Sequence, residues 1–478
     1  MKKLLLLAAV AFASICGAQA QEVTYNQYGQ KVNVIPVNAT VQDGILVFQN
    51  KEANYKMWFD IRVQGDAAVY FGYDKNLTSI GNGMSFRRTR FAVKAQIDKN
   101  WYGEFDTDWT SGMPEIKDAI LEYTGFENIE IKMGNFKENF SIQRNSTSRY
   151  LLFMERAMCT YLAPSRHMGI NVKYDLPALW MSAGVFGPEL KGAEEQTFME
   201  DGNKDYGLNE GLSYTGKVVW RPLHKMTNGS LHLGAAVSYR EPKLTSTDGY
   251  NAIRYSTRNS TSINRKKFLD TDAIKGLDHE FLWTVELAGH YEGLRYEAAY
   301  ISRQAYLDPE KNSYMKAALE NNEEWFLRPA TGWYVQAGYM LFGGKQKYDA
   351  GGAKYTRCTR GKDWGDLELA ARVDHINLNL NKHYMGGSST QYALGLNYYP
   401  SENVKFMLNY QFADNDVFAN GKGDQDGSDV TAKKPYSTGY NADGTVSKNP
   451  FDIRDGVNGA YGKGVDFHMI SCRFQVAF

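Results

Sequence analysis

The run Phe86-Arg87-Arg88-Thr89-Arg90-Phe91, read with a period of two, puts Arg88, Arg90 and Lys94 on one side of an extended strand and Phe91, Val93 and Ile97 on the other. The next stretch answers with the opposite sign. Glu104, Asp106 and Asp108 share one side against Trp101, Phe105 and Trp109, and Asp118 and Glu122 follow. Rows of fixed charge need no covalent step to be useful. Lining a water-filled space, they attract and sort polar solutes, and opposed basic and acidic walls would set a transverse field. The plainer reading is cross-strand pairing that keeps one face wet and holds the register. In the same register an arginine recurs on the polar side at Arg62, Arg240, Arg295, Arg372 and Arg473.

The segment 137–167 carries a second set of charges. Leu151 to Leu162 is apolar and aromatic with helical character, so it should not lie in solvent. Folding into the mouth of a ring of strands would bury it and narrow the opening. Lys137, Arg144, Arg149, Arg156 and Arg166 would then turn toward the lumen, where the segment's only acids are Glu138 and Glu155, favouring anions. The alternative is a lid helix packed on the wall with solvated charges.

Alternating strands must position these groups. Ile470, Cys472, Phe474, Val476 and Phe478 fall on one face of the last strand, and Ser471, Arg473, Gln475 and Ala477 on the other. Met57, Phe59, Ile61 and Val63 alternate with Trp58, Asp60, Arg62 and Gln64 near the start. Strands of about ten residues, enough to cross a bilayer at a tilt, are expected near 55–72, 84–97, 101–109, 116–124, 129–136, 168–175, 178–186 and 211–220. Others are expected near 230–240, 280–291, 294–303, 332–341, 366–378, 390–399, 404–413 and 466–478. About sixteen antiparallel strands can close into an all-β transmembrane barrel, leaving no edge unpaired in lipid. Tight links at Asp98–Asn100, Pro177, Glu292–Gly293 and Pro400–Asn403 alternate with long ones at 137–167, 187–210, 241–279, 304–331 and 414–465, which are expected outside the cell. The 342–365 segment breaks this rule: it is long and charged where parity calls for a periplasmic turn, unless a strand is miscounted.

Composition agrees. The chain has 14% aromatic residues, including 32 tyrosines, with 45 glycines against 12 prolines, a mixture suited to strands and tight turns. Lys2, Lys3, the apolar run Leu4 to Ile15 and the small residues Ala18 and Ala20 read as a secretory signal peptide over 1–20, cleaved after Ala20. Residues 21–54 form a leader, and 55–478 the barrel. Ile15 ahead of Cys16 argues against a lipid anchor there. No later stretch of about 18 apolar residues suggests a spanning helix. Cys159, Cys358 and Cys472 make no metal or disulfide framework. Lys plus Arg equals Asp plus Glu at 54 each, so net charge gives no reason to expect a nucleic-acid partner.

Five ordered motifs carry a family resemblance. Phe86-Arg87-Arg88-Thr89-Arg90-Phe91, Lys117-Asp118-Ala119, Gly134-Asn135-Phe136-Lys137-Glu138-Asn139-Phe140, Phe153-Met154-Glu155-Arg156 and Ala163-Pro164-Ser165-Arg166-His167-Met168-Gly169 resemble the phosphate-selective porin O and P family. Glu368-Leu369-Ala370-Ala371-Arg372 also fits. The resemblance implies a sixteen-stranded homotrimeric porin in the bacterial outer membrane. Its third extracellular loop, matching Lys137 to Arg166 here, would constrict each pore, and lumenal cations would attract small anions such as phosphate or polyphosphate. A terminal Phe478 closing an alternating strand looks like the signal that such barrels present to their assembly machinery. The acidic wall at Glu104, Asp106 and Asp108 departs from a simple anion pore.

Other classes fit less well. Eight histidines are scattered, and His167, His375 and His468 have no nucleophile motif near them, so neither an enzyme nor a cofactor is expected. A leader of about thirty residues is too short for the plug of a larger transporter. A non-selective general porin and a surface-binding barrel with adhesive loops at 241–279 and 414–465 are the alternatives.

Overall fold

The computed structural model describes residues 24–25, 27–32, 35–42, 45–73, 75, 78–188, 195–196, 211–242, 252–264, 266–381, 383–419 and 464–478. Residues 1–20, expected to be a signal peptide, and most of the links at 187–210 and 414–465 lie outside these residues. Two strands of the leader, β1 (Val37–Gln42) and β2 (Ile45–Asn50), form a hairpin. Eight strands follow: β3 (Lys56–Phe71), β4 (Gly83–Ile97), β5 (Trp101–Asp108), β6 (Glu115–Phe126), β7 (Ile129–Lys137), β8 (Arg166–Asp175), β9 (Leu179–Phe186) and β10 (Ser213–Trp220). Eight more complete the set: β11 (Gly229–Arg240), β12 (Leu277–Tyr291), β13 (Leu294–Leu307), β14 (Ala330–Met340), β15 (Asp366–Asn381), β16 (Tyr384–Tyr399), β17 (Val404–Asn415) and β18 (Phe467–Ala477).

Strands β3 to β18 pair antiparallel in chain order, and β18 returns to β3 from His468↔Phe71 to Ala477↔Arg62, closing a barrel of sixteen. The expected strand count and positions are thus borne out. The leader hairpin docks where β18 does not reach, with Val47↔Trp58 and Gln49↔Lys56 at the start of β3.

Sidedness is the reverse of a soluble protein. Leu394, Leu408, Ile470 and Phe474 are exposed on the outer face, while Asn409, Gln411, Ser471 and Arg473 are buried inside. Alternation supplies both surfaces from one strand, and the outer one suits hydrocarbon.

Among the described residues, three connections fold inward. Residues 138–165 enter between β7 and β8, and those described in 252–276 enter between β11 and β12: Asn259 donates to Ser389 Oγ (3.0 Å) and Asn415 Oδ1 (2.9 Å), and Ser262 to Asp66 (2.7 Å). For the described residues of the 241–279 link, this corrects the expectation of a polar loop lying outside. Its small polar side chains instead satisfy the lumenal wall. The third is 341–365, a true turn, so no strand was miscounted. Asp366 holds its base by accepting from the amides of Phe342 (3.0 Å), Gly344 (2.7 Å) and Gly361 (2.9 Å). Its two-residue strands Tyr348–Asp349 and Lys354–Tyr355 rise inside the barrel, where Trp180 Nε1 donates to Gly351 O (2.9 Å) and the Arg295 guanidinium lies 3.6 Å from the Tyr355 ring centre.

Candidate functional site: a charged cavity inside the barrel

Loop 138–165 is tied to the wall at four carboxylates. Glu138 accepts from Arg240 Nη1 (2.8 Å) and pairs with His167 (2.7 Å). Glu286 and Asp374 on the wall accept from the amides of Ile142 (2.8 Å) and Met158 (2.9 Å). Glu155 accepts from Arg87 Nε (2.6 Å) and Nη2 (3.0 Å) and from Arg473 Nη2 (3.0 Å). Between these ties, Leu152 and Phe153 pack on the small wall residues Ala370 and Ala393. The apolar stretch is therefore buried against the wall, but the helical character expected of Leu151–Leu162 is limited to 3-10 turns at Ser148–Tyr150 and Met158–Leu162, with one α-turn at Ile142–Asn145. Ile142 and Met158 each open one of these turns, so Glu286 and Asp374 cap first-turn amides that have no partner within the turn itself.

The loop and the wall enclose a cavity of about 620 Å³ lined by eleven basic and seven acidic side chains among the described residues. Arg88, Arg90, Lys94, Lys137, Arg149, Arg156 and Arg166 lie on it, as do Glu104 and Asp106. Arg144 and Asp108 do not. Arg144 turns away to donate to Ala163 O (3.0 Å), and Asp108 is taken up by Thr110 and by Arg90 Nε (3.1 Å).

The opposed walls expected from the sequence are instead an interleaved ladder on neighbouring strands. Register puts Arg90 opposite Asp108 and Lys94 opposite Glu104. Arg90 lies 3.5 Å from Asp106, and Lys94 lies 3.0 Å from Asp60 and 3.4 Å from Glu104. Arg166 meets Asp118 at 2.7 Å, and Lys132 meets Glu122 at 2.8 Å. Adjacent strands of opposite sign pair their charges; they do not face each other across the pore.

Among the described residues, three cations stand outside this ladder. Arg156 Nη2 and Lys137 Nζ both donate to the carbonyl of Ser146, at 2.7 and 3.4 Å, and neither has a carboxylate partner among the described residues. Among the described residues Arg88 likewise donates only to Gln64 Oε1 (2.8 Å). Burial, with the like charges of Arg144, Arg166 and Arg87, pulls the Arg156 guanidinium below its usual range. Its neighbour Glu155 has the opposite surroundings. Burial would raise that carboxyl, but Arg87, Arg88 and Arg473 hold it well below the usual carboxylate range.

Local irregularities set these positions. At Gly134 the backbone has φ 118°, and a Cβ there would lie 2.0 Å from the carbonyl of Ala119, so only glycine permits the kink just ahead of Lys137. On β4 the register passes from Gln64↔Arg88 to Gly65↔Phe86, which leaves Arg87 as a bulge. The bulge turns Arg87 inward to Glu155, against strict alternation. Sequence reading did not single it out, and the only hint is the doubled arginine. Asp60, Lys132, Lys173, Asp349 and Lys354 also line the cavity and were not singled out.

A closed sixteen-stranded barrel with an apolar exterior, a charged lumen and an inward-folded loop defines an outer-membrane porin, a channel for small solutes. The family model of the phosphate-selective porin O and P matches residues 59–436, and the chain belongs to that family. Porin O of Pseudomonas aeruginosa is 25% identical over 419 residues, 81% of this chain and 89% of its own. Among solved structures, OmpT of Vibrio cholerae has a TM-score of 0.48 at 12% identity, covering 89% of this chain and 98% of its own. An anion-selective porin from Comamonas acidovorans has a TM-score of 0.47 at 10% identity, covering 89% and 100%.

Proposed function

We propose that this porin passes small polar solutes by passive diffusion and prefers anions, phosphate among them, with Lys137 and Arg156 as the attracting pair. The observation that carries this reading is their convergence on the Ser146 carbonyl without a carboxylate partner among the described residues. Two neighbouring cations beside water-filled space are stabilised by an arriving anion, and the rest of the cavity wall, Arg88 apart, is largely self-neutralised. The ladder keeps the lumen hydrated without trapping the solute, as conduction requires. Membership of a family named for phosphate selectivity agrees with an anion preference. A cleaved signal over 1–20, assembly guided by Phe478 and a homotrimer set in outer-membrane lipid complete the reading.

The test is the reversal potential of the purified protein in a planar bilayer under a potassium chloride gradient, followed by stepwise phosphate. Chloride selectivity with reduced current on adding phosphate is expected, and Lys137→Gln with Arg156→Gln should abolish most of both. Cation preference, or none, in the wild-type channel would leave a general porin.

A further inference from the structure

The cavity contains a second group of interest. Glu104 and Asp106 on β5 and Asp118 on β6 bring carboxylate oxygens within 4.8 Å of one another. Two of the three are well partnered. Glu104 accepts from Tyr102 OH (2.6 Å) and faces Lys94 (3.4 Å), while Asp118 accepts both arms of Arg166 (3.0 and 2.7 Å). Asp106 is not. Its Oδ2 has a 3.5 Å contact with Arg90, and its Oδ1, on a residue only 5% exposed, accepts no hydrogen bond among the described residues. A buried carboxylate oxygen without a donor is costly, and it marks a place where a donor belongs.

The chemistry of that donor is restricted by its neighbours. A divalent metal would meet Arg90, Lys94 and Arg166, already in place around the three acids. A primary ammonium carries one charge and directs separate N–H groups, so it can pair with the Asp106 carboxylate, which lines the cavity, without displacing those partners. The same cavity holds Lys137 and Arg156, and Lys137 interacts electrostatically with Asp118. Its volume, about 620 Å³, lies within the range of roughly 300–1,000 Å³ typical of small-molecule sites. A water occupies about 30 Å³ in the liquid, so a bare oxyanion leaves most of this space unused.

We propose that the pore favours small anions that also carry a primary amine, such as aminoalkyl phosphates, with the anionic end at Lys137 and Arg156 and the ammonium at Asp106. This rests on the anion preference argued above and adds a second point of contact to it. The ladder that weakens the net positive field thereby becomes a source of selectivity.

The experiment compares block of the chloride current by O-phosphoethanolamine and by ethyl phosphate, esters of similar size that differ by the amine. In the wild-type channel the amino ester should half-block at about tenfold lower concentration, the worth of one charge-assisted hydrogen bond. In Asp106→Asn the ratio between the two esters should fall to near one. Equal block of the wild type by both esters overturns the amine site alone and needs no variant, and a ratio that survives in Asp106→Asn overturns it as well. Absence of block by either ester would overturn the anion reading together with the inference built on it.

Discussion

Arg87 reaches Glu155 with two hydrogen bonds, of 2.6 and 3.0 Å, from a bulge on β4 that turns it out of the lipid-facing row. Arg473 on β18 donates to the same carboxylate and, through Nε (2.6 Å) and Nη2 (2.7 Å), to Asp66 on β3. Two strands therefore meet the inward loop at one acid, with a third tied in through Asp66, and that acid is adjacent in sequence to the cation Arg156.

Glu155→Gln should loosen the loop without altering the barrel. Removing one partner of a buried charge network costs about 3–5 kcal/mol, and here the cost falls on the loop's attachment. Single-channel recordings should show larger conductance and more open-channel noise, with weaker anion preference. Wild-type conductance and selectivity in this variant would show that the other ties suffice.

Acid should release the other end of the loop. Burial alone would raise the Glu138 carboxyl, but Arg240 and His167 bring it down to about 2 from its ordinary 4.5. A depressed carboxyl stabilises the fold fully above its unfolded value, so the contribution is complete above about 4.5, declines as pH falls, and is gone below about 2. Amide exchange in residues 138–146, corrected for intrinsic rates, should lose protection across that window. Glu138→Gln should show lower protection and no such transition.

The 341–365 turn separates the charged cavity from a second space of about 700 Å³ lined by Arg221, His224, His290 and Tyr348. Replacing residues 347–356 with a short Gly-Ser link should join the two and raise conductance. An unchanged conductance would place the limiting resistance at the loop above.

On the outer face, Leu408 is 49% exposed. Leu408→Arg should cost about 2–4 kcal/mol if that position lies near the bilayer midplane, measured as a lower urea midpoint for unfolding from lipid vesicles. A neutral result would remove this strand from the hydrocarbon zone.

The sequence displays the strands well because alternation writes both surfaces of a barrel into every strand, as at Phe474 and Arg473. It displays the cavity residues that obey that period, such as Arg90 and Lys94. It hides Arg87, because a bulge is a mismatch between two strands and cannot be read from one. Direction across the lumen is hidden too. Alternation tells which side of the wall Glu104 occupies, whereas pairing with Lys94 depends on which strand is adjacent. The inward turn reads from sequence as a break in parity because a long, charged segment suggests solvent, and the lumen that Asp349 and Lys354 line is solvent of another kind.

Closure between β18 and β3 has a kinetic side. Until residues 467–477 reach the opposite edge, both β3 and β17 carry unpaired backbone groups that lipid will not tolerate. At the seam the Phe474 ring covers Gly65, where an added Cβ would lie 2.2 Å from the ring. Insertion and closure must then be nearly one event, with the ring sealed by contacts between residues some four hundred positions apart. Such late, long-range pairing is slow, and a helper that shelters the two edges while they wait would shorten the most exposed interval in the life of the chain.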